Sequence, residues 1–509
     1  MAPLESSLIP FLAWLVSLLA VPAIILLGKK PDAREGITFL AAIVKFGLVL
    51  LMLPLVREGK ILHFSFGEII EGIPIEFRVD GLGMLFAIVA SSLWILTSLY
   101  ALGYMRSLKE HDQTRFFACF ALSLSATIGV AFAGNLLTLY IFYEILSLST
   151  YPLVTHHGDK EARSGGRTYL SHLLGTSVAF VLPAMIYCYW INGGDINFTD
   201  GSLFCTEIDS TAGLIVLLAF TFGFAKNGLM PFHSWLPNAM VAPTPVSALL
   251  HAVAVVKVGV FCVIRVFTGV FSIDSLKAID VAIVVSWIAA FTVITSSLIA
   301  LSQDNLKRRL AFSTIGQLSY IILGVSLLSP LGVTGSILHV AMHAFGKITL
   351  FFCAGAIYVA MHKKYVSELV GIGRKMPITM TAFAIGSLSV IGLPVTGGLV
   401  SKWYLVMGTV QSGQIALLVI FLISSILNAC YFLPIVYRAF FCRPEESLYG
   451  GGRQEAPLAC LIPLCITALL SVISFFNPSL FIELAGLILS LIHISEPTRP
   501  LYISYAVFC

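Results

Sequence analysis

Charge is scarce in this sequence: 11% of its 509 residues are Asp, Glu, Lys or Arg, roughly half the share of about 25% found in soluble domains. With 58% hydrophobic residues, that balance excludes a soluble globular protein. The net charge of +4 is spread over loops without a basic block, which excludes a nucleic-acid partner. Clustered cysteine is also missing. The ten cysteines include no Cys-x-x-Cys pair and mostly sit inside apolar runs, so they supply neither an iron-sulfur cluster nor structural zinc and read as small core residues. No Gly-x-Gly-x-x-Gly follows a strand, and no extramembrane domain is large enough for a flavin or nucleotide. The chain is expected to hold no cofactor, no metal and no redox centre of its own.

What is abundant is the apolar run. A bilayer-crossing helix needs about 20 such residues, and runs of that kind fall at 7–28, 36–56, 80–104, 115–134, 136–154, 168–192, 211–230, 246–268, 281–302, 310–328, 332–360, 380–409, 413–437 and 458–484. The predicted fold is an all-α polytopic membrane protein of about fourteen transmembrane helices. The first run follows Met-Ala-Pro-Leu-Glu and is too long for a signal-peptide core, so a retained helix is expected. Of the thirty Lys and Arg, nineteen fall in odd-numbered loops, among them Lys29, Arg106, Lys160, Lys307, Lys363 and Arg438, and five in even-numbered ones: Arg57, Lys60, Arg78, Arg265 and Lys277. The positive-inside rule then puts the odd loops in the cytoplasm and both termini outside. The loop bearing Asp195, Asp200, Glu207 and Asp209 fits the outer side.

Apart from Arg499, the remaining cations are lysines inside predicted spans: Lys45, Lys226, Lys257, Lys347 and Lys402. Each costs about 2.5 to 3.5 kcal/mol at mid-helix on insertion scales, so something must offset or use them. Besides Asp80 and Glu483 near helix ends, the one embedded acid is Glu144. Snorkelling to the headgroups accounts for a lysine near a helix end. Lys226 and Lys402 share their segments with Pro231 and Pro394, which break the helices, and interrupted helices carrying charge are the signature of an ion site. His339, His343 and Lys347 are four apart and stack on one helical face. Imidazole exchanges protons near neutrality and a lysine removed from water titrates nearer to it, so the stripe reads as a proton path rather than packing. His251 and Lys257 are about 240° apart on a regular helix and can cooperate only through water or another helix. Lys45 has no assigned role.

The stretch from Lys226 through Pro231, His233, Trp235 and Pro245 to His251 resembles the seventh-to-eighth helix signature of the antiporter-like proteins. These are the large proton-pumping membrane subunits of respiratory complex I, the Mrp-type sodium/proton antiporter subunits and their counterparts in membrane-bound hydrogenases. His339-Val-Ala-Met-His343-Ala-Phe-Gly-Lys347 and Gly392-Leu-Pro394-Val-Thr-Gly-Gly-Leu-Val-Ser-Lys402 are similar to two further motifs of that family. The resemblance implies two inverted five-helix repeats with broken helices 7 and 12. The implied units are an N-terminal three-helix segment (1–114), a first repeat (115–280), a second repeat (281–440) and a last helix (441–488). It implies roles too: Glu144 as the fifth-helix glutamate, Lys226 as its partner, and Lys257 as the eighth-helix relay residue. His339, His343 and Lys347 become the central relay and Lys402 the terminal lysine, with His251 beside the path.

The function so implied is proton translocation in a multi-subunit respiratory or antiporter complex, with other membrane subunits as partners. Such a complex is a Mrp-type antiporter, a membrane-bound hydrogenase or an NADH:quinone oxidoreductase, in a prokaryotic cell membrane. Met240 to His251 looks closest to the distal complex I and large Mrp subunits; Lys257 and the modest length favour the Mrp D-type and hydrogenase-associated ones. A lone carboxylate among lysines favours protons over sodium, which would move through an adjacent subunit. The alternative is a stand-alone secondary transporter of an ion or small solute. Residues 489–509, from Leu489-Ser-Leu-Ile-His-Ile-Ser-Glu-Pro-Thr-Arg499, resemble a translated sequencing adapter and stand outside the functional reading.

Overall fold

A computed structural model describes residues 3–70, 72–198, 203–204, 208–442 and 452–491. Asp200, Glu207, Cys205 and most of the adapter-like tail lie outside them. The described chain is a polytopic bundle of long helices: α1 (Ile9–Leu26), α2 (Pro31–Arg57), α3 (Gly81–Ser107), α4 (Gln113–Ala131), α5 (Leu136–Val154), α6 (Lys160–Ile191), α7 (Ser210–Gly223) and α8 (Thr244–Val270). Then follow α9 (Ala282–Ser302), α10 (Leu306–Ser326), α11 (Pro330–Met361), α12 (Pro377–Ile391), α13 (Gly397–Gln411), α14 (Ile415–Phe441), α15 (Leu458–Phe476) and α16 (Ser479–Leu491). Among the described residues, eleven helices are long and apolar enough to cross a bilayer. In such a solvent only an internally hydrogen-bonded backbone is tolerated, which is why apolar runs become helices.

Their starts are written in the sequence as caps. Asp80 accepts from Gly83 N at 2.9 Å, Asn135 from Thr138 N at 2.8 Å and Asp159 from Ala162 N at 2.7 Å. Pro31, Pro330 and Pro377 occupy first-turn positions of α2, α11 and α12. The expected last span, 458–484, is instead two helices, α15 and α16, parted at Asn477 and Pro478.

A three-stranded sheet, unforeseen in an all-helical reading, sits at one face. Strand β1 (Leu4–Ser6) pairs in parallel with β2 (Ile61–Ile70), which pairs antiparallel with β3 (Ile73–Val79). The alternation in Ile73-Pro-Ile-Glu-Phe-Arg-Val was legible, but its segment is too short to stand out between long apolar runs. Bridges from Phe77 to Ala133 and from Asn135 to Asn197 tie the even-numbered loops together on the side of the N-terminal strand. On the opposite face the odd-numbered loops meet: Arg106 pairs with Asp32 at 2.6 Å, Arg115 donates to His156 O, Asn305 bridges Tyr365, and Gly371 N donates to Arg438 O. The structure thus gathers the cation-rich loops on one face.

At the centre, the most apolar stretch of α8 is wholly buried, whereas α2, α6 and α14 bury a third of theirs and turn the rest to the bundle's flanks. The N-terminal segment is locked to α8 by one buried ion pair, Arg265 to Asp80 at 2.5 and 3.0 Å. Removing one member of such a pair strands the other charge. Asp80→Ala, which also deletes the α3 cap, is expected to destabilise the fold by about 3–5 kcal/mol, read as a lowered Tm of the detergent-solubilised protein; an unchanged Tm refutes this.

Candidate functional site

Among the described residues, the five lysines expected inside the spans are all buried. Lys45, Lys226, Lys257 and Lys347 are 0% exposed and Lys402 is 6% exposed, so none of them snorkels. Each is placed by a local departure from regular helix or by a facing carbonyl.

Lys226 lies in a single 3-10 turn, Ala225–Asn227, just after α7 ends, and Gly228 closes that turn at φ +70°. The irregular chain that follows, with Pro231 in it, has its freed backbone groups satisfied by side chains: Trp235 Nε1 donates to Ala225 O at 2.9 Å, Asn227 Nδ2 to Thr221 O at 2.6 Å, and Leu229 N to Asn227 Oδ1 at 2.8 Å. The Lys226 ammonium donates to Tyr143 O at 2.8 Å and Ser147 Oγ at 2.6 Å, both on α5. Glu144 is the next residue after Tyr143, yet it forms no ion pair with Lys226 within 4.0 Å; both its oxygens are buried without a partner among the described residues. The Lys226 ammonium thus meets the carbonyl of the residue before Glu144 rather than the carboxylate itself.

The second break runs from Gly392 to Thr396 between α12 and α13, with Pro394 inside it. Gly392, at φ +87°, leaves the room that the Lys402 stem occupies: a Cβ there would fall 2.6 Å from Lys402 Cδ. The Lys402 ammonium donates to Ile391 O at 2.9 Å, the last carbonyl of α12, and lies 4.7 Å from the centre of the Tyr320 ring.

Between the breaks, α8 and α11 bring several of the expected relay residues together. Lys257 Nζ is 2.7 Å from His343 Nδ1. The rings of His343 and His339 stack at 5.6 Å and 16°, and those of His339 and Tyr320 at 5.9 Å and 22°. His339 is fixed by Ser401 at 2.8 Å and Gln317 Oε1 at 3.1 Å. Lys257, His343, His339, Tyr320 and Lys402 therefore follow one another in a row, joined by one hydrogen bond at the Lys257 end and by ring stacking and an ammonium–ring contact beyond it. Lys347 stands aside from it, donating to Leu310 O at 3.1 Å. His251 packs on Phe351 with both ring nitrogens unpartnered among the described residues. It occupies a π-helical turn, Leu249–Val253, so the α8 phase calculated for a regular helix does not apply.

Tyr320, Gln317, Ser401 and Ser147 were not singled out in the sequence. Their signal was weak: hydroxyls and one amide on helices that hold many such groups, recognisable only once the helices are packed. The side-chain oxygens of Glu144, both ring nitrogens of His251, His343 Nε2 and Gln317 Nε2 are buried without a partner among the described residues.

A helical membrane protein with broken helices around a buried line of lysine and histidine is the class that this geometry defines. Residues 133–428 match the family model described as NADH:quinone oxidoreductase/Mrp antiporter, TM, and residues 70–117 match that for NADH-Ubiquinone oxidoreductase (complex I), chain 5 N-terminus. The chain belongs to this NADH:quinone oxidoreductase/Mrp antiporter family. It is 32% identical to NADH-quinone oxidoreductase subunit N of Desulforudis audaxviator, over 79% of this chain and 82% of that one. It is 30% identical to a probable K(+)/H(+) antiporter subunit of Rhizobium meliloti, over 86% of this chain but 44% of that longer protein. A putative antiporter subunit mnhA2 of Staphylococcus aureus is 28% identical over 92% of this chain and 61% of its own length. In fold the chain is similar to a chain of the archaeal membrane-bound sulfane sulfur reductase (TM-score 0.84, 24% identity, 96% and 98% of the two chains). It is also similar to a chain of the Mrp complex from Dietzia (TM-score 0.83, 21% identity, 95% and 98%).

The break at Lys226 is seated on Gly259 of α8, where a Cβ would fall 2.2 Å from Asn227 N and 2.3 Å from the Lys226 carbonyl carbon. Backbone cannot yield as a flexible side chain can. Gly259→Ala is expected to lower stability by about 1–3 kcal/mol, measured by thermal denaturation, with Gly36→Ala, which meets nothing within 4 Å, as the tolerated control; equal effects of the two would refute the packing argument.

Proposed function

We propose that the chain is a proton-translocating, antiporter-like membrane subunit of a multi-subunit complex, working with other membrane subunits. The observation that carries this is the row of neighbouring titratable and polar groups from Lys257 through His343, His339 and Tyr320 to Lys402, in a bundle whose other broken helix holds Lys226. Its groups are donors and proton acceptors, and an ammonium ligates no cation, so the transported species is the proton.

Two halves share one plan. α4 and α5 have 19 residues each and α9 and α10 have 21 each; α6 and α11 both have 32, and α8 and α14 both have 27. In each half a broken segment precedes the last member and carries a lysine, Lys226 or Lys402. We infer from this that the halves are inverted repeats, close to 115–280 and 281–440, within about fourteen spans that end with a kinked last one. The cation-rich face lies in the cytoplasm of a prokaryotic cell and both termini lie outside.

In operation, Glu144 is the input. Its charge supports the proton on Lys226 across the Tyr143 peptide, and neutralising or displacing that charge releases the proton. Water within the break carries it to Lys257, whose contact with His343 Nδ1 hands it to that imidazole; the ring gives up a proton from Nε2 to water, which bridges to the neighbouring His339. Ser401 and Gln317 hold the second ring, and Lys402 delivers the proton beyond Tyr320. His251 and Lys347 flank this route and feed it through water. Redox chemistry, where the complex has it, belongs to the neighbouring subunits.

A positioned proton carrier contributes about 10²-fold or more in rate. Glu144→Gln, Lys226→Ala and Lys257→Ala are each expected to reduce proton uptake by inverted vesicles bearing the intact complex by that order, with assembly retained. Wild-type uptake in any of the three would sink the relay.

A further inference from the structure

Three histidines lie buried among the relay lysines, and their ring nitrogens are provided for differently. Both nitrogens of His251 and Nε2 of His343 have no partner among the described residues. His339, 1% exposed, has a partner at each: Gln317 Oε1 lies 3.1 Å from Nε2 and Ser401 Oγ lies 2.8 Å from Nδ1, and both of these side chains are fully buried. Stacking against His343 and Tyr320 fixes the plane of the ring, so its two nitrogens keep these neighbours.

The neighbours differ in what they can do. An amide oxygen accepts hydrogen bonds and donates none, so Nε2 carries its hydrogen whether the ring is neutral or charged. The nitrogen that gains and loses the relay proton is therefore Nδ1. In the neutral ring Nδ1 offers a lone pair and needs a donor; in the charged ring it carries a hydrogen and needs an acceptor. A hydroxyl can serve as either, provided that its single hydrogen has a second place to go. The structure supplies that place, since Ser401 Oγ also donates to Gly398 O at 3.2 Å. Serines on membrane helices commonly bond their own backbone in this way. Ser401 differs in that the same oxygen is within hydrogen-bond distance of a titratable nitrogen on another helix. Gly398 sits so close to α12 that a Cβ there would overlap Ser389 O, which pins the backbone that bears the second acceptor.

We propose that Ser401 is a two-position positioning residue for His339: its hydroxyl turns between His339 Nδ1 and Gly398 O as the imidazole releases and binds the relay proton. With the ring neutral, Ser401 donates to Nδ1. When a proton adds to the Nδ1 lone pair, the hydroxyl turns its hydrogen to Gly398 O and accepts from Nδ1–H; release reverses the turn. Ser401 keeps its own hydrogen throughout, and the proton lost from Nδ1 is the one gained there. Neither charge state leaves a buried ring nitrogen unpaired, which would otherwise oppose one of the two. The inference deepens the relay proposed above and rests on it.

The test uses the intact complex, assembled in wild-type amount. Ser401→Ala removes donor and acceptor together. Because a hydrogen bond to a charged group is worth more than one to a neutral group, the variant is expected to lower proton translocation about tenfold. It is also expected to raise the solvent deuterium isotope effect above the wild-type value, since proton exchange at His339 then limits the rate. Wild-type translocation overturns the proposal; so does a loss with an unchanged isotope effect, which shows that Ser401 only fills space. The two readings fail separately. Wild-type translocation by His339→Gln removes the relay and this inference with it, whereas a slow His339→Gln beside a wild-type Ser401→Ala leaves the relay standing and removes only the turning hydroxyl.

Discussion

Everything in this interior answers one constraint: an ammonium group inside a low-dielectric bundle must find oxygen or nitrogen acceptors, and hardly any carboxylates are there to provide them. The solution is repeated with little variation. Lys45 takes Leu124 O, Lys226 takes Tyr143 O, Lys347 takes Leu310 O and Lys402 takes Ile391 O. The first three are carbonyls within helices, which accept a second hydrogen bond on a free lone pair, and Ile391 O is the terminal carbonyl of α12, left free by the helix end. Lys257 alone uses a side chain that itself titrates, His343. A carbonyl oxygen only accepts a hydrogen bond, whereas an imidazole nitrogen can also take the proton, and this difference sets the Lys257–His343 contact apart from the other four.

Much of the membrane architecture was legible from composition. Apolar runs gave the spans to within a few residues at most ends, because lipid leaves the backbone no alternative to helix, and the asymmetric distribution of Lys and Arg anticipated which loops share a face. Prolines 231 and 394 marked both interruptions. The parting of the last span at Asn477 and Pro478 carried the same kind of mark but lay at the edge of its apolar run. The β1–β3 sheet escaped because its strands alternate in segments shorter than the window that detects spans.

The site was legible as a set of residue types and less so as a geometry. His339, His343 and Lys347 do share a helix, but only the first two lie in the line, since stacking depends on which neighbour each faces. Lys257 meets His343 across helices, which no periodicity within α8 encodes, and the π-helical turn around His251 takes that segment out of a count at 3.6 residues per turn. Glu144 and Lys226 were expected side by side; the fold interposes the Tyr143 carbonyl between acid and base. The hydroxyl and amide partners were invisible for a plain reason: serine, threonine and glutamine on a membrane helix usually bond their own backbone, and only packing shows which of them do not.

The seat of the first break on Gly259 has a mechanical meaning. With backbone against backbone, the irregular segment holding Lys226 and the helix holding Lys257 are in rigid contact two residues from the second lysine. A displacement of one is transmitted to the other as a push, at no cost in side-chain rearrangement. In the relay proposed above the two lysines would be geared as well as wired, because a shift of the break at Lys226 moves Lys257 relative to the α11 histidines in the same stroke.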